Sequence, residues 1–175
     1  MEEHLDYIAK TFVSTFRFLL KYPAVMRKLR SEIVAAHNHN NLSPLPLWSE
    51  LGELKYLQAV MKESLRLSHV HRVREVKSPA GGVTVSGYYV PQGTTIRCHP
   101  LVVHNNAQIY GDRPQVFDPE RWLNNGLQRQ KCMMECLMLF QQHVFENPTI
   151  CAAWWELKKA IVVVLMKFNV SRIQQ

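Results

Sequence analysis

The chain has 175 residues, a formal net charge of +7 and 47% hydrophobic residues, which is ordinary for one globular domain with a core. The basic charge fits a solvated surface as well as an acidic partner or an anionic membrane. Four cysteines form no Cys-x-x-Cys pair and no zinc-finger spacing, so they predict free thiols in a reducing compartment. The N-terminus is acidic and predicts no signal peptide.

Helices are predicted first along the chain. Apolar residues recur at helical spacing over 5–20, and Pro23 begins a second helix over 24–36 at its first turn, where a missing N–H costs nothing. A polar loop containing two prolines follows, and Ser49 is a candidate cap for a short helix. The clearest amphipathic pattern predicts a helix over 53–67.

The periodicity changes after this helix, from about Val70. The pair Gly81-Gly82 predicts a turn, and residues 83–85 and 88–90 predict short strands. A returning strand is predicted to begin at Thr94, after a Pro-Gln-Gly turn. The middle of the chain is therefore predicted to be a small β region.

The remaining elements are shorter until the C-terminus. Residues 101–104 fit either a helix or a strand, residues 107–122 are rich in loops, and 156–168 predict a final helix. The apolar run at 160–166 is seven residues, far below the roughly 20 needed to span a bilayer. The order of elements predicts a mainly α (α+β) fold in one domain over 1–175. The localisation is left open, and the predicted lack of a membrane anchor favours the cytoplasm.

Two segments carry the strongest functional signal. Glu63 and Arg66 lie one turn apart in the predicted helix, and residues 117–122 read Phe-Asp-Pro-Glu-Arg-Trp. A buried Glu–Arg pair needs partners for its remaining donors, and Arg121 is a candidate second cation. From these residues alone, the simpler interpretation is that Glu63, Arg66 and Arg121 all face solvent. The surrounding sequence instead favours a structural lock between helix and loop.

That surrounding sequence resembles the cytochrome P450 family of haem-thiolate monooxygenases, in particular its fungal members, over most of the chain. The resemblance implies a partial fold of that family, in which Glu63, Arg66 and Arg121 form the Glu-Arg-Arg core that braces the fold. Its implied parts are the end of the I helix with the J helix at 1–36, the K helix at 50–68, a β region at 70–104, the meander at 105–125, an altered haem loop at 126–153 and the L helix at 154–170.

The resemblance also implies a chemistry. Members of the family insert one oxygen atom from O2 into a small organic molecule, using haem iron and electrons from a reductase. Arg74 lies near the family's propionate-binding arginine, and Arg72 and His99 are placed equally well. A nucleic-acid partner is not expected, because the basic residues are scattered.

One departure from the family concerns the axial ligand, a cysteine thiolate in a Phe-x-x-Gly-x-Arg-x-Cys-x-Gly loop. Phe140 stands where this loop opens and Trp154 where the L helix begins, at the family's usual spacing. The stretch between them contains no glycine, and the ligand position falls on Asn147. The stretch between Phe140 and Trp154 has the length of the family's loop but not its residues, which fits a reading-frame slip or a miscalled exon. We therefore expect no catalytic residue, no metal ligand and no bound haem in this chain.

Other candidate groups are weaker. Cys151 lies four residues past the ligand position, and we interpret it as a small buried thiol. Cys132 and Cys136 are interpreted as incidental. The acid and threonine that relay protons in the family's I helix fall on Asp6 and Tyr7, and tyrosine is a poor substitute. The histidine pairs lack a third ligand nearby and are interpreted as loop residues, at positions 37 and 39 and at positions 69 and 71.

Two functions remain open at this point. The first is the C-terminal portion of a haem-thiolate monooxygenase that begins within the I helix and is inactive as it stands. The second is a non-catalytic interaction protein, or a gene-model fragment without function, that exposes the surface once covered by the missing helices.

Overall fold

The computed structural model describes residues 2–68, 73–139 and 148–171. Nine helices and four strands lie in these ranges. In chain order they are α1 (Glu2–Lys21), α2 (Pro23–Asn38), α3 (Trp48–Gly52), α4 (Lys55–Leu67), β1 (Arg74–Lys77), β2 (Val83–Val85), β3 (Tyr88–Val90), β4 (Thr95–Cys98), α5 (Pro100–His104), α6 (Ala107–Tyr110), α7 (Arg121–Asn124), α8 (Leu127–Leu139) and α9 (Pro148–Lys167). The prediction of a mainly α, α+β fold is confirmed.

The short helix α3 begins at Trp48, two residues earlier than a cap at Ser49 predicts. Ser49 lies inside it, so the prediction that Ser49 caps this helix is wrong. The acceptor is instead the Glu50 carboxylate, which the backbone N–H groups of Leu47 and Ser43 approach at 2.6 and 3.2 Å. The hydrogen bond from Leu47 is the main reason that the pKa of Glu50 lies below its usual value. A glutamate three residues into a helix reaches back more easily than a serine within the first turn.

Helix α4 begins at Lys55, two residues later than predicted, because a carboxylate from another helix caps it. Glu32 of α2 accepts hydrogen bonds from the backbone N–H groups of Tyr56 and Leu57 at 2.7 and 2.9 Å. Burial raises the pKa of Glu32 more than these two bonds lower it. This contact ties the start of α4 to α2.

The strands form two separate antiparallel pairs. In the hairpin β2–β3, Val83 lies opposite Val90 and Val85 lies opposite Tyr88, and Gly87 in the connecting turn has φ of 85°. The predicted returning strand is β4, and its partner is β1, with Arg74 opposite Cys98. In the sequence, the hairpin β2–β3 therefore lies between β1 and β4, the two strands of the other pair.

The second half of the chain is more helical than predicted. The segment 126–153, predicted as an altered haem loop, contains all of α8 and the start of α9, which begins at Pro148 rather than near residue 154. Helix α8 is rich in Gln, Met and Leu, which are good helix formers, but it lacks a sharp apolar stripe. The loop predicted at 107–122 contains α6 and the start of α7.

Two apolar clusters hold the elements together. The larger cluster joins α1, α2, α4 and α9, and its fully buried side chains include Leu19, Leu29, Leu57 and Ile161. The smaller cluster joins α4, α6, α7 and α8 through residues that include Leu65, Tyr110, Trp122, Met133 and Leu137. Helix α4 contributes to both clusters and is therefore the centre of the described structure. Among the described helices none is long and apolar enough to cross a membrane.

Candidate functional site

The Glu63 carboxylate on α4 accepts five hydrogen bonds. Arg66 binds it through both Nε and Nη2, at 2.9 and 2.7 Å. Arg121 donates from Nε at 2.8 Å, Trp122 from its indole Nε1 at 2.8 Å, and Asp118 from its backbone N–H at 3.0 Å. Glu63 is fully buried. Two carboxylate oxygens offer about four lone-pair directions, so this group has no acceptor capacity left for a substrate.

Arg66 uses its remaining donors on the backbone of the second half of the chain. Its Nη1 donates to the carbonyl of His104 at 2.6 Å, and its Nη2 lies 3.5 Å from the carbonyl of Val116. In return the Nδ1 of His104 lies 3.0 Å from the Arg66 carbonyl oxygen. The guanidinium carbon lies 4.8 Å from the centre of the Tyr110 ring, within cation–π range.

Arg121 reaches the same loop from the other side. Its Nη1 donates to the carbonyl of Tyr110, and its Nη2 donates to the carbonyls of Val116 and Arg113 at 3.0 and 3.3 Å. The two guanidinium groups and the Glu63 carboxylate carry a net charge of +1 in a buried place. Four backbone carbonyl dipoles, those of residues 104, 110, 113 and 116, point at this excess charge and stabilise it.

This arrangement suits a brace and not a reaction centre. Glu63 is saturated, and an arginine does not exchange protons at physiological pH. The phenol of Tyr110 donates to the Met133 carbonyl at 3.1 Å, and burial raises the pKa of Tyr110 so that it stays protonated. Glu63, Arg66, Arg121 and Tyr110 are therefore not suited to exchange a proton.

The motif alone did not reveal the role of Trp122. Its side chain is 5% exposed, and its indole N–H is directed at Glu63 Oε2. A buried indole needs an acceptor, so its position beside Arg121 is the signal that points to this bond. No comparable signal exists for Glu32, whose partners at the start of α4 follow it by more than twenty residues.

The other candidates from the sequence lie away from this cluster or outside what is described. Arg74 opens β1, but its side chain lies outside the described residues, as does Arg72. His99 is exposed and accepts a hydrogen bond from the N–H of Leu101, so it caps α5. The backbones of residues 6 and 7 are helical within α1, and their side chains are not described.

His37 lies in the last turn of α2, so the interpretation that it is a loop residue is wrong. Its Nδ1 lies 3.0 Å from the Leu42 carbonyl oxygen, and His39, which follows the helix, is exposed. His69 and His71 lie outside the described residues. In the described ranges no group of three or more His, Cys, Asp or Glu side chains is arranged to hold a metal ion.

The described thiols lie on β4 and α8. Cys98, Cys132 and Cys136 are free. Burial, followed by the neighbouring Cys132, raises the pKa of Cys136, which favours the thiol over the thiolate. Asn147 lies outside the described residues, as does the side chain of Cys151.

The family is established by comparison with known proteins. A family model described as Cytochrome P450 matches residues 6–134. The chain is 33% identical to a cytochrome P450 monooxygenase of Aspergillus terreus over 159 residues, which cover 90% of this chain and 32% of that protein. It is 41% identical to the cytochrome P450 monooxygenase easK of Aspergillus fumigatus over 108 residues, which cover 61% of this chain and 32% of that protein.

A rust fungus protein, cytochrome P450 67 of Uromyces fabae, is 27% identical over 95% of this chain and 31% of its own length. The chain belongs to the cytochrome P450 family, and the resemblance drawn from its motifs is confirmed. It spans about a third of the length of the curated relatives it matches.

Cytochromes P450 depend on haem held by a thiolate, which makes the donor chemistry of this chain the test of fit. The described cysteines lie on β4 and α8, and burial raises the pKa of Cys136. The ligand position predicted from the sequence carries the carboxamide of Asn147, which does not fit a thiolate-ligated haem.

Proposed function

We propose that this chain is the C-terminal portion of a cytochrome P450 monooxygenase that keeps the Glu-Arg-Arg core and lacks the axial thiolate. On this proposal Glu63, Arg66 and Arg121 are structural residues that hold α4 against the loop before α7. The chain by itself then neither ligates haem through sulphur nor catalyses oxygen insertion. In a complete relative the same core would support haem, a small organic substrate and a reductase.

The observation that carries the proposal is the saturated carboxylate of Glu63. Its five donors come from α4, α7 and the loop between α6 and α7. A single buried acid that joins three segments stabilises their arrangement, but it has no free lone pair for chemistry. The fold is thus maintained by residues that do not need haem as a partner.

The comparisons support the altered loop as a substitution and not a deletion. An alignment that includes 90% of 175 residues must pass through residues 140–153 wherever it begins, and the Aspergillus terreus alignment does so over 159 positions. That relative therefore aligns across the region in which this chain lacks the cysteine and glycines of the family loop. This pattern is the reason to propose a frame slip or an exchanged exon of equal size.

A spectrum of the reduced chain with carbon monoxide tests the proposal. Full-length chain is expressed with haem supplied, reduced with dithionite and exposed to carbon monoxide. We expect no red-shifted Soret band of the kind that thiolate ligation produces. The positive control is the same chain with residues 140–149 replaced by a Phe-x-x-Gly-x-Arg-x-Cys-x-Gly loop. A red-shifted band in the unaltered chain overturns the proposal.

The origin of the altered loop is tested separately at the nucleic-acid level. Sequencing the transcript across codons 140–153 is expected to reveal a shifted frame or a different exon junction that encodes the family loop. A transcript that encodes the printed residues without a shift refutes this part of the proposal and leaves the structural role of Glu63 unaffected.

A second candidate, a non-catalytic interaction protein, is favoured by the exposed apolar surface. Val13 on α1 and Val102 on α5 are 64% and 73% exposed. A groove of about 730 Å³ between these helices is lined by Val13, Phe18, Leu67 and Leu101 among others.

Analytical ultracentrifugation and thermal melts separate the two candidates. A soluble monomer with a cooperative melt favours an independent protein, and an aggregated or molten species favours a portion of a larger one.

A further inference from the structure

A small cavity lies beside α4, next to Lys62 and Leu65. It is enclosed by α4, α8 and α9 and has a volume of about 250 Å³. Its walls combine apolar and aromatic side chains with two ammonium groups. They are Gln58, Lys62, Leu65, Met134, Leu137, Trp154, Trp155 and Lys158.

The two lysines of this cavity have unusual surroundings. Lys158 is 4% exposed, and its Nζ lies 3.8 Å from the centre of the Trp155 ring. Lys62 Nζ lies 5.7 Å from the centre of the Trp122 ring. Within residues 2–68, 73–139 and 148–171 neither ammonium has a carboxylate partner. Aromatic faces are the only attractive partners seen for these charges in the described ranges.

The pKa values of the two lysines also indicate that their positive charges are poorly stabilised. Burial, together with the positive charge of Lys62, lowers the pKa of Lys158 to about 8, and burial also lowers the pKa of Lys62. Two like charges that line one desolvated cavity repel each other and lack solvent to screen them. An anion between them would remove both costs, since it pairs with both ammonium groups at once.

The volume and the lining of the cavity limit which anions can bind there. Drug-sized ligands fill cavities of roughly 300–1,000 Å³, so this one fits a molecule with a single ring. Trp154 offers an aromatic side chain and Met134 a polarisable thioether, which also packs well against rings. The Trp155 ring already contacts the Trp48 ring and the Lys158 ammonium, each at 3.8 Å from its centre. The lining therefore combines two ammonium groups with an apolar and aromatic wall.

We propose that this cavity binds a small aromatic monocarboxylate, with its carboxylate between Lys62 and Lys158 and its ring against Trp154, Met134 and Leu137. The residues that line the cavity do not include Glu63, Arg66 or Arg121. The site needs neither haem nor the family's axial loop, so the proposal stands apart from the proposed function.

Benzoate is the probe, and benzamide is the neutral control of nearly the same shape. Each is titrated into the full chain at constant ionic strength while the tryptophan fluorescence is recorded. We expect saturable quenching by benzoate and at least about tenfold weaker quenching by benzamide, the equivalent of roughly 1.4 kcal/mol. Equal binding of the two probes, or no saturable binding of benzoate, overturns the proposal.

Variants locate the site. Lys62→Met and Lys158→Met are each expected to weaken benzoate binding about tenfold or more, since each removes one of the two ammonium groups. Lys159→Met is the matched control, because this neighbour on α9 carries the same charge but is not among the cavity-lining residues. Loss of benzoate binding in Lys159→Met to the same degree contradicts the site, since it would then reflect net charge alone.

A measurement on the unaltered chain keeps the proposal testable if one variant fails to fold. Benzoate at saturating concentration is expected to raise the melting temperature, and benzamide at the same concentration is not. Circular dichroism of each variant verifies its helix content before titration. A melting temperature that benzoate leaves unchanged in the unaltered chain counts against the proposal regardless of the variants.

Discussion

Two neighbouring residues on α4, Lys62 and Glu63, show opposite ways of burying a charge. Glu63 has five hydrogen-bond donors around it, including two arginines. Lys62 lines a cavity with a second lysine and has an indole ring as its described partner. A charge with every partner in place stabilises the fold and offers nothing to a ligand. A charge that lacks a counter-ion in its described surroundings marks a place where a ligand can add stability.

The largest expected effect comes from breaking the saturated cluster. Glu63→Ala leaves two guanidinium groups, one indole N–H and one backbone N–H without their acceptor in a buried place. We expect a loss of about 3–5 kcal/mol of unfolding free energy, measured by urea denaturation, or failure to fold. Glu53→Ala, on the exposed residue that follows α3, is the control and is expected to change stability by less than about 0.5 kcal/mol. A loss below about 1 kcal/mol for Glu63→Ala contradicts the brace.

The second prediction concerns the shape of the cation. Arg66→Lys keeps the positive charge but cannot bind both Glu63 oxygens and also reach the carbonyls of His104 and Val116. We expect a loss of about 1.5–3 kcal/mol in the same denaturation experiment. Arg97→Lys provides the control, because Arg97 is 70% exposed in its pair with Glu75. Equal effects of the two substitutions would show that the fork geometry of Arg66 is unimportant.

Glu32 lies between the two extremes, with two backbone donors at the start of α4. Glu32→Ala removes this cap and is expected to cost about 1 kcal/mol. Glu32→Gln keeps one acceptor oxygen and is expected to cost less. Denaturation midpoints of the two variants, with unchanged slopes, check the order. A larger cost for Gln than for Ala would show that the cap is not the main role of Glu32.

The fourth prediction is a gain in unfolding free energy, whereas the first three are losses. Lys158→Met replaces an ammonium that has no described carboxylate partner with a side chain of similar length that suits the apolar wall. Without added anion we expect a gain of about 1 kcal/mol in unfolding free energy. Thermal and urea unfolding of the variant and the unaltered chain measure the difference. A loss of more than about 1 kcal/mol would show that Lys158 already has a stabilising partner.

The smallest effect is a pH dependence of that gain. The pKa of Lys158 is about 8 in the folded chain and near its usual 10.5 when unfolded, so the unfolded state binds more protons in this range. The stability of the unaltered chain should therefore rise relative to Lys158→Met between these pH values. Denaturation of both proteins at pH 7.5, 8.5 and 9.5 checks the trend, and a difference that grows with pH contradicts it.

Local patterns were enough to predict many of the elements. Pro23 marked the start of α2, and the amphipathic stripe of α4 predicted a helix, because both signals arise from neighbouring residues. The start of α4 was predicted two residues early, since its cap comes from Glu32 on another helix. Helix α8 was not predicted, because its apolar residues follow no clear helical stripe. The partner of β4 was likewise decided by β1, across the intervening hairpin.

The amino-acid sequence by itself determined the family, because the helix containing Glu63 and Arg66 and the segment around Arg121 are preserved as short patterns. It also predicts that the position of the axial ligand falls on Asn147 and not on a cysteine. Only the tertiary structure decided which charges have partners. Glu63 meets donors from more than fifty residues away, while Lys62, one position earlier, faces Lys158 across a cavity. Burial and partner number depend on the packing of distant segments, and no local pattern encodes them.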